Sequence, residues 1–163
     1  MHTTDSATDF KKVMSRFPTG VTVVTAIQDG LPVGFTCQSF VSLSLEPPLI
    51  SLALAKNSTS WPLVRAAGAF CVNVLEESQQ EVGLQFARSG SEKFAGVDWS
   101  PGVLNAPRIA GSVAWIECTL EAVQAVGDHE IAIGRVVSLA NGEGRPILFH
   151  ESRFTTLAAR EVA

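Results

Sequence analysis

The chain has 163 residues, 46% apolar and 17% charged, with a formal net charge of −4. That is enough for one domain spanning 1–163 with a full hydrophobic core, too little for two, and too apolar for disorder. Its twelve Lys and Arg are scattered, which argues against nucleic acid, and no apolar run approaches the roughly 18 residues a bilayer span needs.

Phe10, Val13, Met14 and Phe17 follow the i, i+3, i+4, i+7 spacing of an amphipathic helix, which Pro18 and Gly20 end. Val21 to Ile27 is β-branched and strand-like. Asp29-Gly30 signals a turn, and Val33 to Phe40 reads as the return strand of a hairpin. Pro47-Pro48 breaks the chain, and Leu49 to Ala55 follows as a central strand. Ser60-Trp61-Pro62 opens a short helix with Ser60 as N-cap and Pro62 in its first turn. Phe70 to Leu75 is another strand, Ser78 to Arg88 a helix, and 89–112 a loop rich in Gly, Pro and Ser. From Val113 to Ala122 apolar residues alternate with Trp115, Glu117, Thr119 and Glu121, the pattern of a half-buried strand. Gly127-Asp128 turns the chain into a partner strand, Glu130 to Leu139, and a last strand covers Ile147 to Phe149. Many short strands and few helices suggest a closed antiparallel barrel.

Familiar catalytic signatures are missing. Gly142-Glu-Gly144 lacks the third glycine of a dinucleotide fingerprint. His129-Glu130 and His150-Glu151 lack the second histidine of a zinc helix. No G-x-S-x-G elbow occurs. Cys37, Cys71 and Cys118 are far apart and odd in number, so buried thiols are expected rather than a disulfide framework. Met1-His-Thr-Thr-Asp5 has no signal-peptide pattern, and the protein is expected to be cytoplasmic.

Two patches stand out. Gly34-Phe-Thr-Cys-Gln-Ser-Phe40 and Asn57-Ser-Thr-Ser60 place small hydroxyls and turn-capable backbone beside apolar strands. They suit a flat, polar-edged ligand with a phosphate tail, a cofactor that does the chemistry while the protein holds it. Each also has a plain reading: strand hydroxyls bonded to water or backbone, and an ordinary helix cap. Lys56 adds charge beside the second patch. Lys93 is a solvated loop lysine unless its loop folds over the site. His129 is either a turn residue or a polar contact for a second ligand at the pocket mouth.

Taken together, the chain resembles the flavin reductase family, the small component of two-component flavin monooxygenases, from about Phe10 to Phe154. The matching pieces are Arg16-Phe-Pro-Thr-Gly-Val-Thr-Val-Val-Thr25, Gly34 to Phe40, Glu46-Pro-Pro-Leu49, Asn57 to Ser60, Phe70-Cys-Val-Asn-Val-Leu75, Gly127-Asp-His129 and Ile133-Gly-Arg-Val136. The resemblance implies a mainly β, antiparallel Greek-key fold, the FMN-binding split β-barrel, with a few short peripheral helices. It also implies a homodimer that binds FMN or FAD. Thr36, Cys37, Gln38 and Ser39 would lie along the isoalloxazine ring. Leu54, Ala55, Asn57, Ser58, Thr59 and Ser60 would hold the ribityl and phosphate groups. Phe86, Ala87 and Lys93 would sit near the flavin tail, and His129 near the nicotinamide of NADH or NADPH. Small Ala or Ser residues are frequent in relatives where this chain has Cys37 and Gln38. Reduced flavin would diffuse to a partner oxygenase, with no metal, membrane or nucleic acid involved. The alternative is an electron carrier of the same fold that keeps its flavin.

Overall fold

A computed structural model describes residues 7–90 and 92–158. In chain order its elements are α1 (Ala7–Met14), β1 (Thr19–Gly20), β2 (Thr22–Gln28), β3 (Leu31–Cys37), β4 (Val41–Leu45), β5 (Pro48–Ala55), α2 (Trp61–Ala67) and β6 (Ala69–Val74). They continue with α3 (Gln80–Ala87), β7 (Trp99–Pro101), β8 (Pro107–Ile109), β9 (Ala114–Val126), β10 (His129–Asn141), β11 (Ile147–His150) and β12 (Arg153–Thr156). The fold is mainly β, as expected.

Seven strands form one antiparallel sheet in the order β3-β2-β6-β9-β10-β5-β4. The closed ladder read from the sequence is not found among the described residues: β3 and β4 are edges. These two edges are consecutive in the chain, joined only by Gln38-Ser39-Phe40. Val41 pairs with Ser51, so the same register carried back two residues sets Ser39 against Ala53. There the Ser39 hydroxyl replaces the ladder: it donates to Ala53 O and accepts from Ala53 N–H, both at 2.8 Å. The hydroxyl keeps the end of β5 tied to the turn that leaves β3.

The core has two parts. Val24, Phe35, Leu52, Trp61, Phe70 and Cys118 lead the larger cluster, over which α2 packs. Val21, Val23, Leu75, Phe86, Ile109 and Ile147 form the second, beneath α3. Gly34 lets α3 approach β3: a Cβ there would meet Val24 O at 2.7 Å and the Phe86 ring at 3.0 Å. Burial of such side chains contributes about 1.5–3 kcal/mol each.

Several expectations change. The helix near the N-terminus forms, but none of its residues is buried, and Phe10, Val13, Met14 and Phe17 face outward. Strand β4 went unread, although Val41-Ser-Leu-Ser-Leu45 alternates cleanly; β12 was also missed. The 89–112 segment is more than a loop, since β7 and β8 pair within it. That segment covers one face of β9, so Ile116, Glu117 and Cys118 are all buried. Glu117 was read as an outward position because a carboxylate in an alternating strand usually faces water. Here it is fully enclosed and accepts from Val103 N at 3.0 Å, Leu104 N at 2.7 Å and Arg108 Nε at 2.7 Å.

Candidate functional site

The turn leaving β3, the end of β5 and the start of α2 converge on a cleft of about 420 Å³. It is lined by Phe35, Thr36, Cys37, Gln38, Ser39, Ala53, Leu54, Ala55, Ser58 and Ala87. Eight of the thirteen positions expected to bind flavin therefore meet at one surface, and three more, Asn57, Thr59 and Ser60, adjoin it in the chain. No charged side chain lines the cleft.

Hydrogen bonding separates these residues into two groups. The Thr36 hydroxyl donates to Gly83 O at 2.6 Å and is spent on holding α3. Ser39 is spent on Ala53. Cys37 points into the core, 3.2 Å from the Ser39 hydroxyl, and burial raises its thiol pKa. The Phe86 ring is fully buried, edge-on to Phe94 of the loop beyond α3, and its carbonyl accepts from Lys93 Nζ at 3.2 Å. By contrast Gln38, Asn57 and Thr59 are exposed, and their side chains have no partner among the described residues. These three are free to meet a ligand.

The turn before α2 differs from the expected cap. Ser60 holds the N-cap position, but its hydroxyl does not cap. Ser58 does so instead, accepting from Trp61 N–H at 3.1 Å. Pro62 has no N–H, and Leu63 N–H bonds Ser60 O, so the first turn of α2 is largely satisfied from within. The Ser60 hydroxyl accepts from Lys93 Nζ at 2.8 Å. Its proton is left to donate elsewhere.

Lys93 folds inward, the less usual of its two readings. It is buried, and its ammonium donates to Ser60 Oγ, to Gly34 O at 3.1 Å and to Phe86 O at 3.2 Å. No carboxylate among the described residues pairs with it. Desolvation holds its pKa below the usual lysine value. Gln85 fixes the loop by donating to Lys93 O at 2.7 Å and Ala95 O at 2.9 Å. A buried cation with only neutral acceptors favours an anion nearby.

His129 begins β10 directly opposite Ala55, a cleft residue. Its Nδ1 lies 2.7 Å from Asp128 Oδ1. That hydrogen bond holds the Asp128 carboxyl below its ordinary pKa. The turn is pinned to β5 by Lys56, whose N–H donates to Asp128 O at 3.0 Å and whose Nζ donates to Gly127 O at 2.7 Å. Asp128 as the orienting partner, and Gln85 as the anchor of the Lys93 loop, were not read from the sequence. Adjacency to His129 was the available signal for the first; nothing in the sequence marked the second.

Residues 14–158 match the family model described as flavin reductase like domain. The chain is 49% identical over 147 residues to HsaB, the reductase subunit of a flavin-dependent monooxygenase of Rhodococcus jostii, covering 90% of this chain and 75% of that one. It is 42% identical over 152 residues to a flavin reductase of Pseudomonas putida, covering 92% and 89%. Among solved structures it superposes on the NADH:FAD oxidoreductase SgcE6 of Streptomyces globisporus with a TM-score of 0.90 at 35% identity, covering 97% and 96%. A nitrilotriacetate monooxygenase component B from Mycobacterium thermoresistibile gives 0.90 at 44% identity, covering 93% and 86%. The chain belongs to the flavin reductase like family of oxidoreductases.

Proposed function

We propose that this chain uses NADH or NADPH to reduce FMN or FAD and releases the reduced flavin to a partner oxygenase in the cytoplasm. The observation that carries this reading is the cleft itself: free of carboxylates, rimmed by uncommitted polar side chains, and backed by a buried cation that no acid among the described residues neutralises. A flavin fits those donors, since its ring edge needs amide and hydroxyl partners and its phosphate needs positive charge. A bound flavin would supply the hydride acceptor for the nicotinamide, so the chain itself needs no strong acid or base.

The residues then have positional work. Gln38 and the backbone of the turn leaving β3 meet the ring. Asn57, Thr59 and the Ser60 proton meet the phosphate, with Lys93 supplying charge through Ser60. His129, steadied by Asp128, orients the carboxamide of the nicotinamide. The apolar wall of Ala53, Leu54 and Ala55 excludes water beneath the rings.

The same reading includes a split-barrel homodimer. Phe10, Val13 and Met14 along α1, Phe17 just beyond it, and Val41, Leu43 and Leu45 along β4, are more exposed apolar surface than a monomer usually leaves wet. A monomer in sedimentation at micromolar concentration would contradict it. The reductase reading is tested by adding NADH or NADPH to purified protein with excess FMN, FAD or riboflavin. NADH or NADPH oxidation well above the free-flavin background is expected, and no such rate with any combination sinks the assignment.

A further inference from the structure

Between β5 and α2, the turn 57–60 carries Asn57 and Thr59, the exposed side chains that meet the flavin phosphate on the reading above. Both ends of this turn are tied to one hairpin. At its start Lys56 N–H donates to Asp128 O at 3.0 Å and Lys56 Nζ donates to Gly127 O at 2.7 Å. At its end Trp61 Nε1 donates to Glu130 Oε2 at 2.7 Å. The hairpin is the one that carries His129. Successive strand side chains take opposite faces, so Glu130 reaches toward α2 while His129 points away from it. Two donors meet the Glu130 carboxylate, and they are unequal. Arg65 Nη1 donates to Oε1 at 3.0 Å, but Arg65 is half-exposed, and such surface pairs contribute little. Trp61 is 2% exposed and edge-on to Phe35 of the cleft wall, and Glu130 is the acceptor its indole finds among the described residues. A buried N–H needs that partner. The indole bond is also the main reason the Glu130 carboxyl is held below its ordinary pKa. Trp61 is joined to the turn itself, since its backbone N–H donates to Ser58 Oγ at 3.1 Å.

We propose that Glu130 is a positioning residue: by gripping the Trp61 indole it fixes the spacing between the turn 57–60 and His129. The inference rests on the reductase reading above and adds to it a residue that touches neither ligand. Lys56 alone would leave the turn hinged at one end. The Glu130 bond closes the other end onto the same hairpin, so the two groups that hold flavin and nicotinamide move as one body. That matters because hydride transfer needs the two rings near contact, and a misplacement of about 1 Å can cost about 10²-fold in rate. Reach, rather than charge, is what this role requires. A glutamine keeps the reach and offers the indole an amide oxygen as acceptor. An aspartate keeps the charge but is one methylene shorter and withdraws the acceptor from the indole.

The test compares the unaltered protein with Glu130→Gln, Glu130→Asp and Trp61→Phe, each read by FMN and riboflavin titration, stopped-flow hydride transfer at saturating flavin and NADH or NADPH, and thermal melting. Glu130→Asp should slow hydride transfer at saturation about tenfold. It should also weaken FMN about tenfold while leaving riboflavin nearly unchanged, because only FMN engages the turn through a phosphate. Trp61→Phe removes the same bond from its other end and should reproduce both losses. The two changes combined should lose little more than either alone, as members of one contact do. Glu130→Gln should stay close to the unaltered chain in rate and in FMN affinity. The bond is tested from both ends, so one variant that fails to fold leaves the other to decide. Lower melting temperatures with unchanged rates and FMN affinity would reduce Glu130 to a structural clamp and overturn the inference alone. A defect in Glu130→Gln with none in Glu130→Asp overturns it too, since charge and not reach would then be at work. Equal weakening of FMN and riboflavin also overturns it. No NADH or NADPH oxidation by the unaltered protein with any flavin overturns the reductase reading, and this inference with it.

Discussion

Two polar regions lie on the same sheet and are used in opposite ways. On the side covered by the 98–112 segment the amide and charged side chains are answered, and the Ser112 hydroxyl is the exception. Asn73 Nδ2 donates to Val23 O at 2.9 Å and Thr25 Oγ1 at 3.0 Å, while its Oδ1 accepts from Ile109 N–H at 2.8 Å. Thr25 Oγ1 donates to Pro107 O at 2.5 Å, and Glu117 takes two backbone amides and the Arg108 guanidinium. At the cleft, Gln38, Asn57 and Thr59 answer to nothing among the described residues, and Lys93 keeps a charge that no acid among them balances. Polar groups that build the fold are saturated by the fold. On the proposed reading, those left open at the cleft are the ones a ligand would complete.

The strongest way to test that contrast is to break the saturated side. Glu117→Ala leaves two amides without an acceptor and Arg108, part-buried, with only the Ser138 hydroxyl, and a loss of about 3–5 kcal/mol of stability is expected. Urea unfolding measures it. A loss below about 1 kcal/mol, the range of surface ion pairs, would show that water reaches the segment and that the contrast is false.

Alkaline pH probes the same interior. Burial pushes Cys71 and Cys118 up from 9.0 to about 12, and raises Cys37. The unfolded thiols ionise near 9, whereas the folded ones keep their protons. Their stabilising contribution is intact below pH 9 and is lost as pH climbs from 9 through about 12. The loss is on the order of 1 kcal/mol per thiol for each pH unit in that window. Lys93 acts with the opposite sign, since its folded pKa is depressed and the folded state sheds its proton first. Stability from Lys93 therefore rises with pH toward 10.5, but one ammonium opposes three thiols. Falling stability between pH 9 and 11 is expected, and Cys118→Ala should flatten the fall. A rise over that range would mean the ammonium dominates.

On the open side, His129→Ala should raise the apparent KM for the nicotinamide donor and slow hydride transfer, with flavin affinity nearly unchanged. Losing one positioning contact costs about 1–3 kcal/mol, or about 5- to 150-fold in kcat/KM. Stopped-flow bleaching of the flavin against NADH concentration separates this from a merely structural role. In that case the variant loses thermal stability and keeps its kinetics.

How much of this was legible follows from what each signal depends on. Local period and turn chemistry revealed β2, β3, β5, β6, β9 and β10, because Val-rich runs bounded by Asp29-Gly30 or Gly127-Asp128 have one sensible fold. The openness of the ladder was not legible, since it depends on Ser39 reaching Ala53 across the turn. Glu117 was misread because what covers β9 comes from a segment with no period of its own. At the site, residue types were legible and their commitments were not. Thr36, Ser39, Ser58 and Ser60 look alike in sequence, and only contacts 3 to 47 residues away separate those bound to the fold from those left for a ligand.

The smallest effect separates two neighbours of similar chemistry. Ser58 and Thr59 are adjacent hydroxyls at the same turn. Ser58 accepts from Trp61 N–H and so caps α2, whereas Thr59 is exposed and uncommitted. Ser58→Ala should cost about 1 kcal/mol of stability, the usual worth of an N-terminal cap. Thr59→Ala should leave stability within about 0.5 kcal/mol of the parent, as exposed substitutions do. It should weaken FMN more than riboflavin, because only FMN carries the phosphate that Thr59 would meet. Paired thermal melts and flavin titrations of the two variants read both halves. If Thr59→Ala destabilises the fold as much as Ser58→Ala, the turn is one structural unit. If it weakens FMN and riboflavin equally, the phosphate lies elsewhere. Stability lost at Ser58 and phosphate affinity lost at Thr59 would place the boundary between fold and site within a single peptide bond.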